Sequence, residues 1–317
     1  MILFLPGFFL FIVIFCIFVR IYLSWPTRWC RSEKCLIGKT AVITGANTGI
    51  GYETALDFAK RGAKVILACR NKSKAEEARR KIIQETQNEK IFVRIVDMAS
   101  FDSVRKFAKE MEETEDHIDI LVNNAGAYGL EKKKTVDGHP LLMQVNYFSS
   151  FLLTNLVLDL LKKSTAGRIV NVSSMAGRKA GQFDVNKIDE FAPNNYDHAF
   201  SKLCNILFTI ELAKRLRGAK VTTYSLHPGI IETGFYNNVT GLKNILFIII
   251  IKLFSITREE GAQTPQTNIY CSVAKGIEKY NGEHFSCCQR VAPYKTATDA
   301  KLPQKLWEKT EKLVFKH

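Results

Sequence analysis

From Lys39 onward, short β-branched runs alternate with amphipathic stretches, and few folds accept that order. TAVITG (40–45) leads into a glycine-rich turn and the helical pattern of ANTGIGYETALDFAKRGA. KVILACR (64–70), IFVRIVDM (91–98), IDILVNNAG (118–126), GRIVNVSS (167–174) and KVTTYSLHPG (220–229) read as five more strands. KAEEARRKIIQET (74–86), SVRKFAKEMEE (103–113) and a stretch across 139–163 read as helices between them. Strand, helix, strand in succession makes neighbouring strands parallel and the crossovers right-handed. The reading is α/β: a doubly wound parallel sheet in a single domain spanning 36–300, behind an N-terminal membrane anchor.

The chain has 317 residues, 46% of them hydrophobic, which is ample for such a core. Its net charge of +14 points to an anionic partner. No zinc-finger spacing and no aromatic-plus-basic repeat accompanies that charge, so nucleic acid is not expected. An anionic cofactor or an anionic lipid surface fits better. The eight cysteines form no CxxC pair, and adjacent Cys287 and Cys288 make a poor structural disulfide. Reduced thiols in a cytosol-facing domain are expected, with no metal site.

Residues 1–19 carry no charged side chain. Arg20, Arg28, Arg31 and Lys34 follow, with Trp25 and Trp29 among them. This is an apolar run with an aromatic and basic collar, so 1–23 reads as an uncleaved anchor and 24–35 as a basic juxtamembrane linker. The positive-inside rule places the N-terminus in the lumen and the domain in the cytosol, leaving sequons at Asn71, Asn171 and Asn238 unmodified. The tail 301–317 reads as a short basic helix packed on the domain through Leu302, Leu306, Trp307 and Leu313.

The turn Gly45-Ala46-Asn47-Thr48-Gly49-Ile50-Gly51 stands between the first strand and the first helix. Glycines there let backbone approach a pyrophosphate and aim helix N-terminal amides at it, so Gly45, Asn47, Thr48, Gly49, Ile50 and Gly51 are candidate cofactor contacts in a Rossmann fold. The second strand ends in Cys69-Arg70-Asn71-Lys72, with no carboxylate for a ribose 2′-hydroxyl. A cation suits a 2′-phosphate, which favours NADP(H) with Arg70 as clamp; the plainer reading of Arg70 is a solvated surface charge. Asp97 reads as an adenine contact or as a cap of the next helix.

Thr44-Gly45-x-x-x-Gly49-x-Gly51, Asp97, Asn123-Asn124-Ala125-Gly126, Asn146, Ser173-Ser174, Lys202 and Pro228-Gly229 occur in that order. Together they resemble the short-chain dehydrogenase/reductase superfamily over nearly the whole chain past residue 36. The anchor, ACRN, NILFTIELAKRL (205–216), VTTYSLHPG, GAQTPQT (261–267) and GEHFS (282–286) are similar to the narrower microsomal retinol dehydrogenase group. The resemblance implies an NADP(H)-linked oxidoreductase of retinoids or other lipophilic aldehydes, ketones and alcohols, with the endoplasmic reticulum as default membrane. It implies that Asn123, Asn124, Ala125 and Gly126 border the adenosine and ribose side of the cofactor and that Asn146 holds a relay water. It gives Ser174 the substrate oxygen and Lys202 the nicotinamide ribose, and lines the nicotinamide with Pro228, Gly229 and Thr233. It also makes NILFIIIIKLF (244–254) part of a substrate mouth, as an apolar lid touching the membrane; the alternative is core packing or a homodimer contact.

One position departs from the family's Tyr-x-x-x-Lys pair. In NNYDHAFSK (194–202) the residue four before Lys202 is His198, and Tyr196 is six before. Four residues turn about 400° on a helix and share a face; six turn about 600°, leaving Tyr196 roughly 120° away. Three readings follow. His198, or a displaced Tyr196, works as acid or base; or turnover is residual; or the chain is a pseudoenzyme acting as a cofactor-binding or lipid/protein-binding module.

Overall fold

The computed structural model describes residues 29–181, 183–193, 196–229, 265–292 and 294–315. The expected anchor at 1–23, Thr233 and the apolar segment 244–254 lie outside the described residues. Among those described, no helix is long and apolar enough to cross a membrane.

The chain runs β1 (Thr40–Thr44), α1 (Gly49–Lys60), β2 (Lys64–Cys69), α2 (Lys72–Thr86), β3 (Ile91–Ile95), α3 (Phe101–Thr114) and β4 (Ile120–Asn123). There follow α4 (Leu141–Met143), a π-helical turn (Gln144–Phe148), α5 (Ser149–Leu156), α6 (Leu158–Lys162) and β5 (Gly167–Val172). Then come α7 (Asp197–Arg215), β6 (Val221–His227), α8 (Gln266–Val273), β7 (His284–Ser286), β8 (Gln289–Val291) and α9 (Leu302–Val314). The sheet order is β3-β2-β1-β4-β5-β6-β7-β8, parallel throughout except for β7 against β8. The strand order reverses between β1 and β4, and a crevice opens at the carboxyl ends of such strands.

The pleat explains the two-sided burial. Val42 and Leu121 face a core built with Phe107, Phe151, Phe208 and Trp307. Ala41, Ile43 and Val122 face a second core with Phe58, Ile82 and Ile269. The basic tail does pack on the domain. Trp307 lies 4.8 Å from Phe151 and 5.7 Å from Phe208, and the Tyr147 hydroxyl meets Thr310 Oγ1 at 2.8 Å.

Four sequence expectations need correction. Two further strands, β7 and β8, extend the expected six. Their two-residue connection, Cys287-Cys288, takes φ of +49° and +56°, a mirror-image turn that normally announces itself with Asn-Gly. The third strand stops at Ile95 because the chain then folds on itself: Asp97 N–H donates to Ser103 Oγ and Ala99 N–H to Asp97 Oδ1, both at 2.9 Å. Ser100 caps α3, so the capping alternative for Asp97 falls away. The helix expected across 139–163 is broken by the π-helical turn and again at Val157.

Candidate active site

The parallel strands deliver their carboxyl ends to one edge, and most of the sequence-selected residues collect there. Gly45 leaves β1 with φ +67° and Gly49 opens α1 with φ +57°, a region that only glycine enters without strain. Thr48 stands at the N-cap of α1 without a side-chain capping bond, and the first turn has no acidic residue. A helix start without a side-chain cap can offer its first-turn amides to an anion. Asn124 holds the cradle from below, donating Nδ2 to the Thr44 carbonyl at 2.8 Å. Thr44 Oγ1 accepts from Asn124 N–H at 3.0 Å and Ala125 N–H at 2.9 Å. This double tie fixes the Asn124-Ala125-Gly126 turn against the glycine turn.

The cradle therefore suits a dinucleotide by its own geometry. Asn47 and Ile50 are half-buried within it. A Cβ on Gly126 would stand 3.2 Å from Lys202 Nζ and 3.5 Å from Asn146 Oδ1, so bare backbone separates the cradle from the ammonium. Arg70 is exposed at the end of β2 and forms no ion pair among the described residues, while Asn71 beside it caps α2 through Lys74 N–H. Pro228 and Gly229 follow β6 at the same edge, Gly229 with φ +101°.

Lys202 lies on α7, is 4% exposed, and donates Nζ to the Val172 carbonyl at 3.0 Å. Burial lowers its pKa from 10.5 to about 8, which leaves it mostly cationic at neutral pH. His198 sits one turn earlier, also buried. Burial first, then the Lys202 charge, drives its pKa from 6.5 to about 3, so the imidazole is neutral at pH 7. The Tyr128 ring meets the His198 ring edge-on, with centroids 5.1 Å apart and planes at 85°. Tyr196 is elsewhere: it occupies the N-cap of α7 and stacks on Phe200 at 6.3 Å. The structure thus brings His198, not Tyr196, to the Lys202 face.

Asn146 lies within the π-helical turn, a distortion common at functional sites. Its side chain grips Ala127 on both sides, accepting Ala127 N–H at 2.7 Å and donating to Ala127 O at 3.0 Å. The same Nδ2 donates to Ser201 Oγ at 3.1 Å. Ser174 is half-buried with its Oγ accepting Ala176 N–H at 3.2 Å, whereas Ser173 Oγ donates to the Lys202 carbonyl at 2.6 Å. Behind them, the Tyr294 hydroxyl donates to the Ser174 carbonyl at 3.1 Å.

Sequence reasoning passed over Ser201, Asn205 and Tyr294. Asn205 Nδ2 donates to the Asn146 carbonyl at 3.1 Å and the Val172 carbonyl at 3.2 Å, bracing the acceptor that Lys202 also uses. A polar residue three past Lys202 in the apolar run LCNILF was the available signal. Tyr294 carried none, because its partner is 120 residues away.

Residues 39–242 match the family model described as short chain dehydrogenase. Retinol dehydrogenase 11 of Mus musculus is 43% identical over 283 residues, covering 88% of this chain and 87% of the relative. Retinol dehydrogenase 13 of the same species is 39% identical over 291 residues, covering 90% and 86%. Among solved structures, an uncharacterised protein from Mycobacterium paratuberculosis aligns with TM-score 0.71 and 28% identity, covering 91% of this chain and 97% of that one. A Shigella flexneri short chain dehydrogenase complexed with NADP aligns with TM-score 0.62 and 22% identity over 81% of this chain and 100% of that chain, a likeness of fold.

Proposed function

The chain belongs to the short-chain dehydrogenase family, and from that premise we propose a membrane-anchored, NADP(H)-dependent oxidoreductase that interconverts a retinoid or other lipophilic aldehyde or ketone with its alcohol. The carrying observation is the buried Lys202 ammonium, separated from the glycine cradle only by the bare backbone of Gly126. The relatives named retinol dehydrogenase support the substrate class. Arg70, exposed at the end of β2 with no carboxylate at 69–72, supports a 2′-phosphate. Attachment through 1–23, a cytosolic domain on the endoplasmic reticulum and a lid or homodimer contact at 244–254 belong to the same reading.

The nicotinamide, when bound, supplies or accepts the hydride. The protein supplies position and proton handling. Lys202 holds the ribose hydroxyls with a charge that α7 buries. Asn146 fixes Ala127 and so the wall beside Gly126. Ser174 offers its hydroxyl to the substrate oxygen. Neutral His198 is no imidazolium donor for reduction at neutral pH, and the burial and Lys202 charge that keep it neutral also make it a weak proton acceptor for oxidation.

That last point favours a second reading, a cofactor-binding module whose turnover is lost. Purified full-length protein is expected to oxidise NADPH with retinal or a medium-chain aldehyde, and Lys202→Ala to cut kcat/KM at least about 100-fold. Background rates in wild type, rising in His198→Tyr, would establish the module instead.

A further inference from the structure

The described chain begins beside α8, and the direction of α8 is fixed at both ends. Arg168, near the amino end of β5, donates Nη1 to the Cys271 carbonyl at 3.1 Å and Nη2 to the Ala274 carbonyl at 2.6 Å, so α8 finishes at the amino edge of the sheet. Cys288, just past the carboxyl end of β7, donates its N–H to Thr267 Oγ1 at 3.3 Å, so α8 starts at the carboxyl edge. The linker runs against it. Leu36 N–H meets the Arg61 carbonyl at 2.9 Å ahead of β1, Ser32 Oγ donates to the Val273 carbonyl at 3.3 Å, and Cys30 N–H donates to Gln266 Oε1 at 2.9 Å. Residues 1–28, of which 1–19 carry no charge, therefore join the domain at the edge that holds the glycine turn, Ser174 and Lys202.

The same edge exposes apolar side chains. Trp29 is exposed where the linker arrives, Val136 is 89% exposed in the loop after β4, and Met175 and Phe191 are exposed between β5 and α7. Lys132 ties the two loops, donating Nζ to the Ala192 carbonyl at 3.4 Å, and Lys133, Lys134 and Lys179 stand exposed around them. Exposed Asp184 and Glu190 temper that charge, so apolar contact is the larger part. Ile95, on the outermost strand β3, and Phe315, past α9, lie apart from the two loops, and Ile37, 73% exposed, is at the amino edge. We propose that the carboxyl edge of the sheet is the face this domain lays on the bilayer: Val136, Met175 and Phe191 enter the headgroup boundary beside the anchor, with the lysines at the lipid phosphates. This rests on the anchored reading above and adds an orientation to it. A lipophilic substrate then passes from the acyl layer to Ser174 without crossing water, and the polar corner Arg70-Asn71-Lys72 stays open to the nucleotide.

Tryptophan quenching in full-length protein, reconstituted into phosphatidylcholine–phosphatidylserine vesicles, tests this. Val136→Trp and Phe191→Trp put the probe at the proposed face, and Ile37→Trp puts it at the amino edge; all three positions are exposed, so the fold should bear the change. With lipid brominated near the ester linkage, the emission that Val136→Trp or Phe191→Trp adds to wild type should fall at least about twofold, whereas that of Ile37→Trp should be kept. Flotation of the vesicles in alkaline carbonate tests the anchor separately. Protein that floats, but whose two edge tryptophans lose no more emission than Ile37→Trp, overturns the orientation and leaves the anchor standing. Protein that fails to float overturns the anchored reading, and the orientation falls with it.

Discussion

A Cβ added to Gly51 would lie 2.5 Å from both the Gly45 carbonyl oxygen and Asn124 Nδ2. The first is backbone, and the second is pinned to the Thr44 carbonyl, so neither yields cheaply. Gly51→Ala must therefore spread the turn. Urea unfolding should report a loss of about 1–3 kcal/mol, and NADPH fluorescence titration at least a tenfold weaker complex. This constraint was legible in the spacing of the glycines, because a turn that admits a pyrophosphate leaves a signature in residue type. Lys202 and Asn146 were legible through their place in an ordered set. The role of Asn205 was not, since a buried amide declares itself only when its two carbonyl partners converge from separate elements. Tyr196 lies where its six-residue spacing from Lys202 put it, off the Lys202 face, with its ring on Phe200.

At the scale of elements, α9 shows how far periodicity carries. Its apolar positions predicted an amphipathic helix, and the structure buries that face against α5 and α7. Trp307, 4% exposed, packs between Phe151 and Phe208, and the Arg215 guanidinium lies 4.3 Å over its ring. Trp307→Ala removes a large buried side chain from a close-packed layer, and urea denaturation should register a loss of about 3–5 kcal/mol. Trp307→Phe, which keeps the aromatic packing, should recover most of it. Six strands and their helices were readable because a period of two and a period of 3.6 leave different apolar patterns. The β7–β8 hairpin was not, because its strands have three residues each and its turn is built from two cysteines. The π-helical turn at Gln144–Phe148 is equally silent: one extra residue per turn changes no residue type, yet it sets where Asn146 points.

Across the whole molecule, three buried histidines tie folding to pH. His198 faces Lys202 and the Tyr128 ring; burial and the Lys202 charge hold it at about 3. His227, at the end of β6, is lowered to about 4 by burial and the Arg178 charge. His284, on β7, is lowered to about 3 by burial, His227 and Arg178, while its ring nitrogens meet Ser225 Oγ at 3.0 Å and the Tyr294 hydroxyl at 3.3 Å. In each case the folded pKa lies below the unfolded value of about 6.5. Between those limits the unfolded chain binds more protons, so stability is whole above pH ~6.5 and drains as pH falls toward the folded values. At pH 5 the three together cost on the order of 5 kcal/mol, a large share of a typical folding free energy. The net charge of +14 grows further as carboxylates protonate and adds self-repulsion in the same direction. Urea midpoints recorded from pH 7 to pH 4.5 should therefore fall steeply, and His227→Gln with His284→Gln should remove about two-thirds of the histidine part of that slope, with His198 and the growing net charge keeping the rest. A slope unchanged in the double variant would assign the acid sensitivity to the carboxylates, because the two histidines behind the Ser174 loop would then be shown to fold as readily charged as neutral.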